Sequence, residues 1–219
     1  MRNIEFLILI IIVIFITGCS LKKAEDTIIY PKSDYPWHSF ITATIFSITA
    51  NNGKSITAFN DIDADEENPY YIALPFNPQV YNGDDENLKR QVKNLWIQIV
   101  NPSNSKTCFA QWEDVGPWFV DDYEYVFSSD GSVRPAAEKY IEGMKGIYLH
   151  KTNNSVRKIT NKAGIDLSPD VASYLGISGR GTVHWRIVPI HSVPSGPWNN
   201  KISILPPHYK SPKHVPILR

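Results

Sequence analysis

The chain has 219 residues, with 22 Lys and Arg balanced by 22 Asp and Glu, so its formal net charge is zero. That balance excludes binding to nucleic acid, or to another polyanion, by charge alone, because such partners call for a basic face. The length suffices for one well-buried core and points to a single main domain.

The first residues, MRNIEFLILIIIVIFITGCS, give a short charged start at Arg2 and an unbroken apolar run from Phe6 to Ile16. A bilayer span needs about 20 apolar residues, so this run suits the apolar region of a signal peptide better than a membrane helix. The competing reading, an uncleaved anchor helix, gives way to "ITGC" (Ile16 to Cys19), which looks like a bacterial lipobox. There small residues admit the peptidase and the Cys thiol becomes the acylated first residue. Residues 1–18 are therefore expected to be a lipoprotein signal peptide and Cys19 the lipidation site. Several acyl chains on Cys19 hold a protein at a membrane without a spanning helix. As in lipoproteins generally, Ser20 favours the outer membrane if the cell is Gram-negative; the compartment is the bacterial cell envelope. Loss of residues 1–18 removes Arg2 and Glu5 together, so the mature chain stays neutral. With Cys19 acylated, Cys108 has no disulfide partner within the chain and no base near it in sequence, and it is expected as a buried small apolar residue.

Residues 19–38 are polar and read as a tether. "FITATIFSITANNGKSITAF" then alternates on both sides of Asn52-Gly53, a strong hairpin signal. "NPYYIALPFN" and "KNLWIQIVNP" follow as strands, the second with Leu95, Ile97 and Ile99 on one face. In "TCFAQWED" strict alternation places Ala110, Trp112 and Asp114 on a common side, with Asp114 at the strand's end before Gly116-Pro117. A long irregular insertion covers about 119–164; its one helical hint is "RPAAEKYIEGMKG", with Pro135 near the first turn and Gly143 or Gly146 as the stop. "LSPDVASYLGIS" is a clear short helix, with Ser168 as N-cap, Pro169 at the first position and Gly176 at the C-terminal stop. "GTVHWRIV" is the last strand, with Val183, Trp185 and Ile187 on one face and His184 and Arg186 opposite, near solvent. Residues 189–219 hold seven prolines and read as a wrapping or extended tail. The pattern is mainly β, a small barrel with one short capped helix.

"WEDVGPW", "GIDLSPDVASYLGI" and "GTVHWRIV", in that order, resemble the signature of double-psi β-barrel proteins of the RlpA (rare lipoprotein A), barwin and expansin kind. "ALPFN" (Ala73 to Asn77) resembles the Leu-Pro-Phe-Gly element of RlpA-like proteins, and "ITAF" (Ile56 to Phe59) the Thr-Ala element before it. The likeness covers about residues 39–188 and implies a six-stranded double-psi β-barrel with a glycan-binding groove. RlpA-like members include lytic transglycosylases acting on peptidoglycan, whereas expansins loosen wall polysaccharides without hydrolysis. Peptidoglycan or another wall glycan is thus the implied partner. The matching carboxylates are Asp114, Asp166 and Asp61, with Asp63 competing for the place of Asp61. Two departures stand out. Tyr71 occupies the place where RlpA-like transglycosylases usually carry His, and the connection from Gly-Pro to Asp-Leu-Ser is much longer than in simple members.

Glycosidic cleavage needs an acid for the leaving oxygen and usually a second carboxylate or water-activating base, and apolar surroundings raise a carboxyl's pKa toward that task. Asp114, between Trp112 and Trp118, has such neighbours, and a turn-starting or purely binding role competes. Asp166 has the alternative of capping the helix start or bonding to loop amides. Of the aromatic residues near these motifs, Tyr71 and Trp118 are the candidates for sugar contact; Tyr70, Trp112 and Tyr123 fit a core better. "DIDADEE" (Asp61 to Glu67) fails as an EF-hand, since Glu66 and Ile72 stand where Gly and Glu are required. The His residues form no ligand-spaced cluster, so no metal or cofactor is expected.

Overall fold

The structure, a computed structural model, describes residues 35–46, 68–77, 92–140 and 161–203. The signal segment, Cys19, the Asn52-Gly53 hairpin turn and Asp61 with its acidic loop lie outside these residues. Six strands form: β1 (His38–Ile45), β2 (Tyr71–Leu74), β3 (Trp96–Val100), β4 (Thr107–Val115), β5 (Ile165–Leu167) and β6 (Arg180–Val188). They close into a barrel in the order β1-β5-β2-β4-β3-β6. Closure leaves none of these six strands an open edge for unwanted pairing. β1 runs parallel to β5 and β2 parallel to β4, while β2/β5, β1/β6, β3/β4 and β3/β6 are antiparallel. The two parallel pairs interlock through β2/β5, as expected for a double-psi barrel.

Alternation sends Ile41 and Ala43, Ile72 and Leu74, Ile97 and Ile99, Cys108 and Ala110, Ile165 and Leu167, and Val183 and Trp185 inward, all fully buried. Each such aliphatic side chain contributes about 1.5–3 kcal/mol when fully buried. Helix α3 (Pro169–Leu175) has the boundaries its sequence signals: Ser168 accepts from the Val171 amide at 3.4 Å, and Gly176 ends it at φ 71°. Asn101 and Asn104 donate to the carbonyl of Leu175 at 2.9 and 3.0 Å, satisfying the helix C-terminus.

The described part of the insertion belongs to the core. Helix α1 (Tyr123–Val126) brings Tyr123, Tyr125 and Val126 into the main cluster. Trp185 Nε1 donates to the Tyr125 hydroxyl at 2.8 Å, and that hydroxyl donates to the Gly164 carbonyl at 3.2 Å. Helix α2 is only Ala136–Lys139, with Tyr140 already extended. The longer helix expected from "RPAAEKYIEGMKG" therefore stops well short of Gly143. The described start of the tail, residues 189–203, packs on the barrel: Trp198 is buried against Phe109, Tyr70 and Tyr174, and Gln111 clasps Ser203 through both its amide and its carbonyl.

Candidate functional site

Pairing β2 with β4 matches Ile72 to Trp112 and then Ala73 to Asp114, so Glu113 is one extra residue on β4. This bulge changes the expected geometry. Strict alternation puts Asp114 on the side of Trp112; the inserted residue instead turns it to the outer face beside Ala73, while Trp112 stays in the core. Trp112 braces the turn, its indole N–H donating to the Asp114 carbonyl at 2.8 Å. Asp114 remains half-buried, and its Oδ1 accepts the Val115 amide at 2.8 Å, so part of the expected turn-starting role is present as well.

On the other side of Ala73, β5 presents Asp166. Asp166 in turn lies opposite Thr44 of β1. Directly paired residues share a face, so Thr44, Asp166, Ala73 and Asp114 form one row across four adjacent strands. The small Ala73 separates the two carboxylates. Two strand spacings place their backbones about 10 Å apart, wide enough for a sugar oxygen or a water between the carboxyls. Thr44 Oγ1 donates to Asp166 Oδ1 in a short hydrogen bond. Asp166 caps no helix; Ser168 does that, its hydroxyl also donating to the Pro69 carbonyl at 2.7 Å. The alternative of a capping Asp166 is thereby excluded.

Burial pushes the Asp166 carboxyl up to about 6, the negative charge of Asp114 adds to the rise, and the Thr44 hydroxyl works against it. Asp166 thus holds its proton to a higher pH than an ordinary carboxyl does. A second carboxyl, Asp122, is also pushed up to about 6, mainly by burial. Its Oδ2 accepts the Ala136 amide at 2.6 Å, and that bond ties the start of the insertion to helix α2.

Neither aromatic candidate stands open to a sugar. Tyr71 is fully buried, edge-on to Phe46, and offers no ring face to a sugar; that expectation is corrected. Its position explains why: it precedes Ala73 by two on the outer face of β2, and its carbonyl accepts the Ser168 amide at 3.1 Å under the start of α3. Trp118 is half-buried in a small satellite cluster with Phe119, Ala137 and Tyr140, and its indole N–H donates to Asn161 at 2.5 Å. It is fastened to the insertion through Asn161. His184 and Arg186 are half-buried and engaged rather than free in solvent. Arg186 lies over the Trp37 ring at 4.6 Å and donates to Gln98 at 2.8 Å. Cys108 is buried and free, as expected, and burial raises its thiol pKa far above the usual range. Thr44 is the site residue that the sequence reading misses, because no local signal connects it to a partner 122 residues away. Among the described residues, no group of three or more His, Cys, Asp or Glu converges to hold a metal.

No protein-family model matches the chain, and no curated protein matches it. Among solved structures it is similar to a mutant expansin of Clavibacter michiganensis in complex with cellohexaose, with 15% identity and a TM-score of 0.31. The match covers 73% of this chain and 52% of that one, so the chain spans about half the length of the expansin. So loose a superposition carries no argument, and the barrel stands on its own strand pairing.

Proposed function

We propose that the protein is an envelope lipoprotein, anchored through Cys19, whose RlpA-like barrel binds peptidoglycan glycan strands across the face that carries Asp114 and Asp166. The observation that supports this reading is the row Thr44–Asp166–Ala73–Asp114, which sets two carboxyls, that of Asp166 raised by burial, on either side of a small residue. Such a pair hydrogen-bonds sugar hydroxyls from both sides. The raised carboxyl of Asp166 is suited to protonating a glycosidic oxygen, with Asp114 supplying the stabilising charge. The assignment of acid thereby moves from Asp114 to Asp166.

One observation favours a second reading, wall binding without turnover in the expansin manner. Tyr71 stands where RlpA-like transglycosylases usually carry His, and it is buried. The two readings separate in one experiment. The purified full-length protein is incubated with peptide-free glycan strands, and both co-sedimentation and new chain ends are measured. New anhydro or reducing ends that vanish in Asp166→Asn and Asp114→Asn establish cleavage. Co-sedimentation without new ends establishes the expansin-like reading, and the absence of both refutes glycan recognition.

A further inference from the structure

β1 carries a second register break. His38 pairs with Trp185 and Ile41 with Val183, so Ser39 and Phe40 together face the single residue His184. The bulge throws Phe40 outward: its ring is 66% exposed, the most exposed large hydrophobic side chain among the described residues. Its backbone sits at φ 54°, in the left-handed region that a bulky side chain disfavours. Such a conformation costs of the order of a turn's hydrogen bond and persists only when its surroundings over-determine it.

The surroundings do so here. The Phe40 amide donates to His184 Nδ1 at 3.2 Å. Arg134, reaching from the insertion, donates through Nη1 to the Ser39 carbonyl at 2.6 Å and through Nη2 to the Phe40 carbonyl at 2.8 Å. Glu138 holds that guanidinium by two bonds of 2.7 Å. The His184 ring meets the Phe40 ring edge-on at 4.6 Å. Three side chains therefore hold one aromatic ring in solvent with a strained backbone, an arrangement that the core does not require.

Its position gives the reason. Past the bulge, β1 pairs Thr42 with Thr182 and Thr44 with Arg180, while Ile41 and Ala43 point into the core. Phe40, Thr42 and Thr44 thus form an outward line along β1 that ends at Asp166. Four residues of strand cover about 13 Å, the reach of a short oligosaccharide rather than a single ring. We propose that Phe40 is a remote aromatic subsite, on which a pyranose ring of a glycan strand stacks when the strand runs along β1 from the Asp166–Asp114 pair. This inference rests on the glycan-binding reading and extends it. The occupant follows from the chemistry of the line: an apolar ring face at one end, threonine hydroxyls along it and a carboxyl pair at the other end match a carbohydrate polymer of alternating CH faces and hydroxyls.

The test uses the full-length protein and peptide-free glycan oligosaccharides graded from the disaccharide upward, with affinity measured by calorimetry. The wild type is expected to gain affinity once the oligosaccharide is long enough to reach Phe40. Phe40→Ala is expected to lose that gain, about tenfold, with disaccharide binding unchanged. Phe40→Gly suits φ 54° and removes the ring without backbone strain, so it should lose the same gain while unfolding at an equal or higher temperature. Phe40→Trp is expected to keep it. Equal affinity of wild type and Phe40→Ala for the long oligosaccharides overturns the subsite and leaves the carboxylate reading standing. No binding by the wild type at any length overturns both.

Discussion

Replacing Asp166 by Asn is expected to stabilise the protein at neutral pH while removing its chemistry. The unfolded carboxyl ionises near 3.8, whereas the folded one keeps its proton to about 6. Between those values the folded state binds more protons than the unfolded state, so stability falls as pH rises through the window and the full cost is present above it. About two pKa units at 1.36 kcal/mol each set a ceiling near 3 kcal/mol, and the partial solvent access of Asp166 reduces this to about 2 kcal/mol. Asn has almost the same shape and its carbonyl oxygen can still accept the Thr44 hydroxyl, so the substitution removes the charge with little else. For a chain of this length the gain is about 5 °C in the unfolding midpoint. Urea denaturation of wild type and Asp166→Asn at pH 7.5 and pH 4 measures it. The expected difference is about 2 kcal/mol at pH 7.5 and nearly nothing at pH 4. Asp122 titrates in the same window and His38 in the opposite sense, but both are present in the two proteins and cancel in the difference. A variant less stable than wild type at pH 7.5, or a gain that persists at pH 4, refutes the reading of Asp166 as a carboxyl held near 6 by burial.

His38 is buried, stacked on Trp185 at 4.0 Å, and pushed down to about 4 by burial first and by the Arg134 charge second, with Asp130 opposing. Its folded pKa lies below its unfolded value, so it costs stability as pH falls from about 6.5 to 4; His38→Phe should gain about 2 kcal/mol over wild type at pH 4 and almost none at pH 7.5 in the same urea titrations. Gly164 is packed so closely that a Cβ there would lie 2.4 Å from Pro135 Cγ and 2.9 Å from the Tyr125 hydroxyl. Gly164→Ala is therefore expected to lose about 1–3 kcal/mol by calorimetry, and an unchanged midpoint would show that the insertion does not pack there. Cys108 should resist alkylation in the native protein and react at once in urea, as followed by mass spectrometry; rapid native labelling would contradict its buried, raised thiol.

Helix α3 and the strand faces were legible in the sequence because their signals are local. Ser168, Pro169 and Gly176 each act within one turn, and the alternation of Val183, Trp185 and Ile187 needs only a period of two. The packing of the insertion was not legible, since Tyr125 reaches the core through Trp185, 60 residues away. The site was half legible. Asp114 and Asp166 could be singled out by motif, but Asp114 was assigned to the wrong face, because a one-residue bulge at Glu113 leaves no mark in a pattern where either register buries apolar residues. The pairing of Asp166 with Thr44 depends on barrel closure and has no local trace.

The same limitation explains where function is proposed to sit. A strand in perfect register sends every second residue inward, and the outer set is then fixed by the inner one. Breaking the register by one residue releases a side chain from that rule without disturbing the core on either side of it. Among the described residues the barrel does this twice, at Glu113 to bring Asp114 into the row with Asp166, and at Ser39–Phe40 to hold an aromatic ring in solvent. Both breaks are braced: by the Trp112 indole on the Asp114 carbonyl, and by Arg134 with His184 around Phe40. Bracing of this kind adds nothing that a regular strand would lack in stability, so its gain must lie in the side chains it re-aims. Releasing one brace separates the two demands. Arg134→Met should leave the carboxylate pair and disaccharide binding intact, while the affinity gain for long oligosaccharides falls toward that of Phe40→Ala. Loss of disaccharide binding in Arg134→Met would show that the two breaks are one structural unit rather than two independent devices.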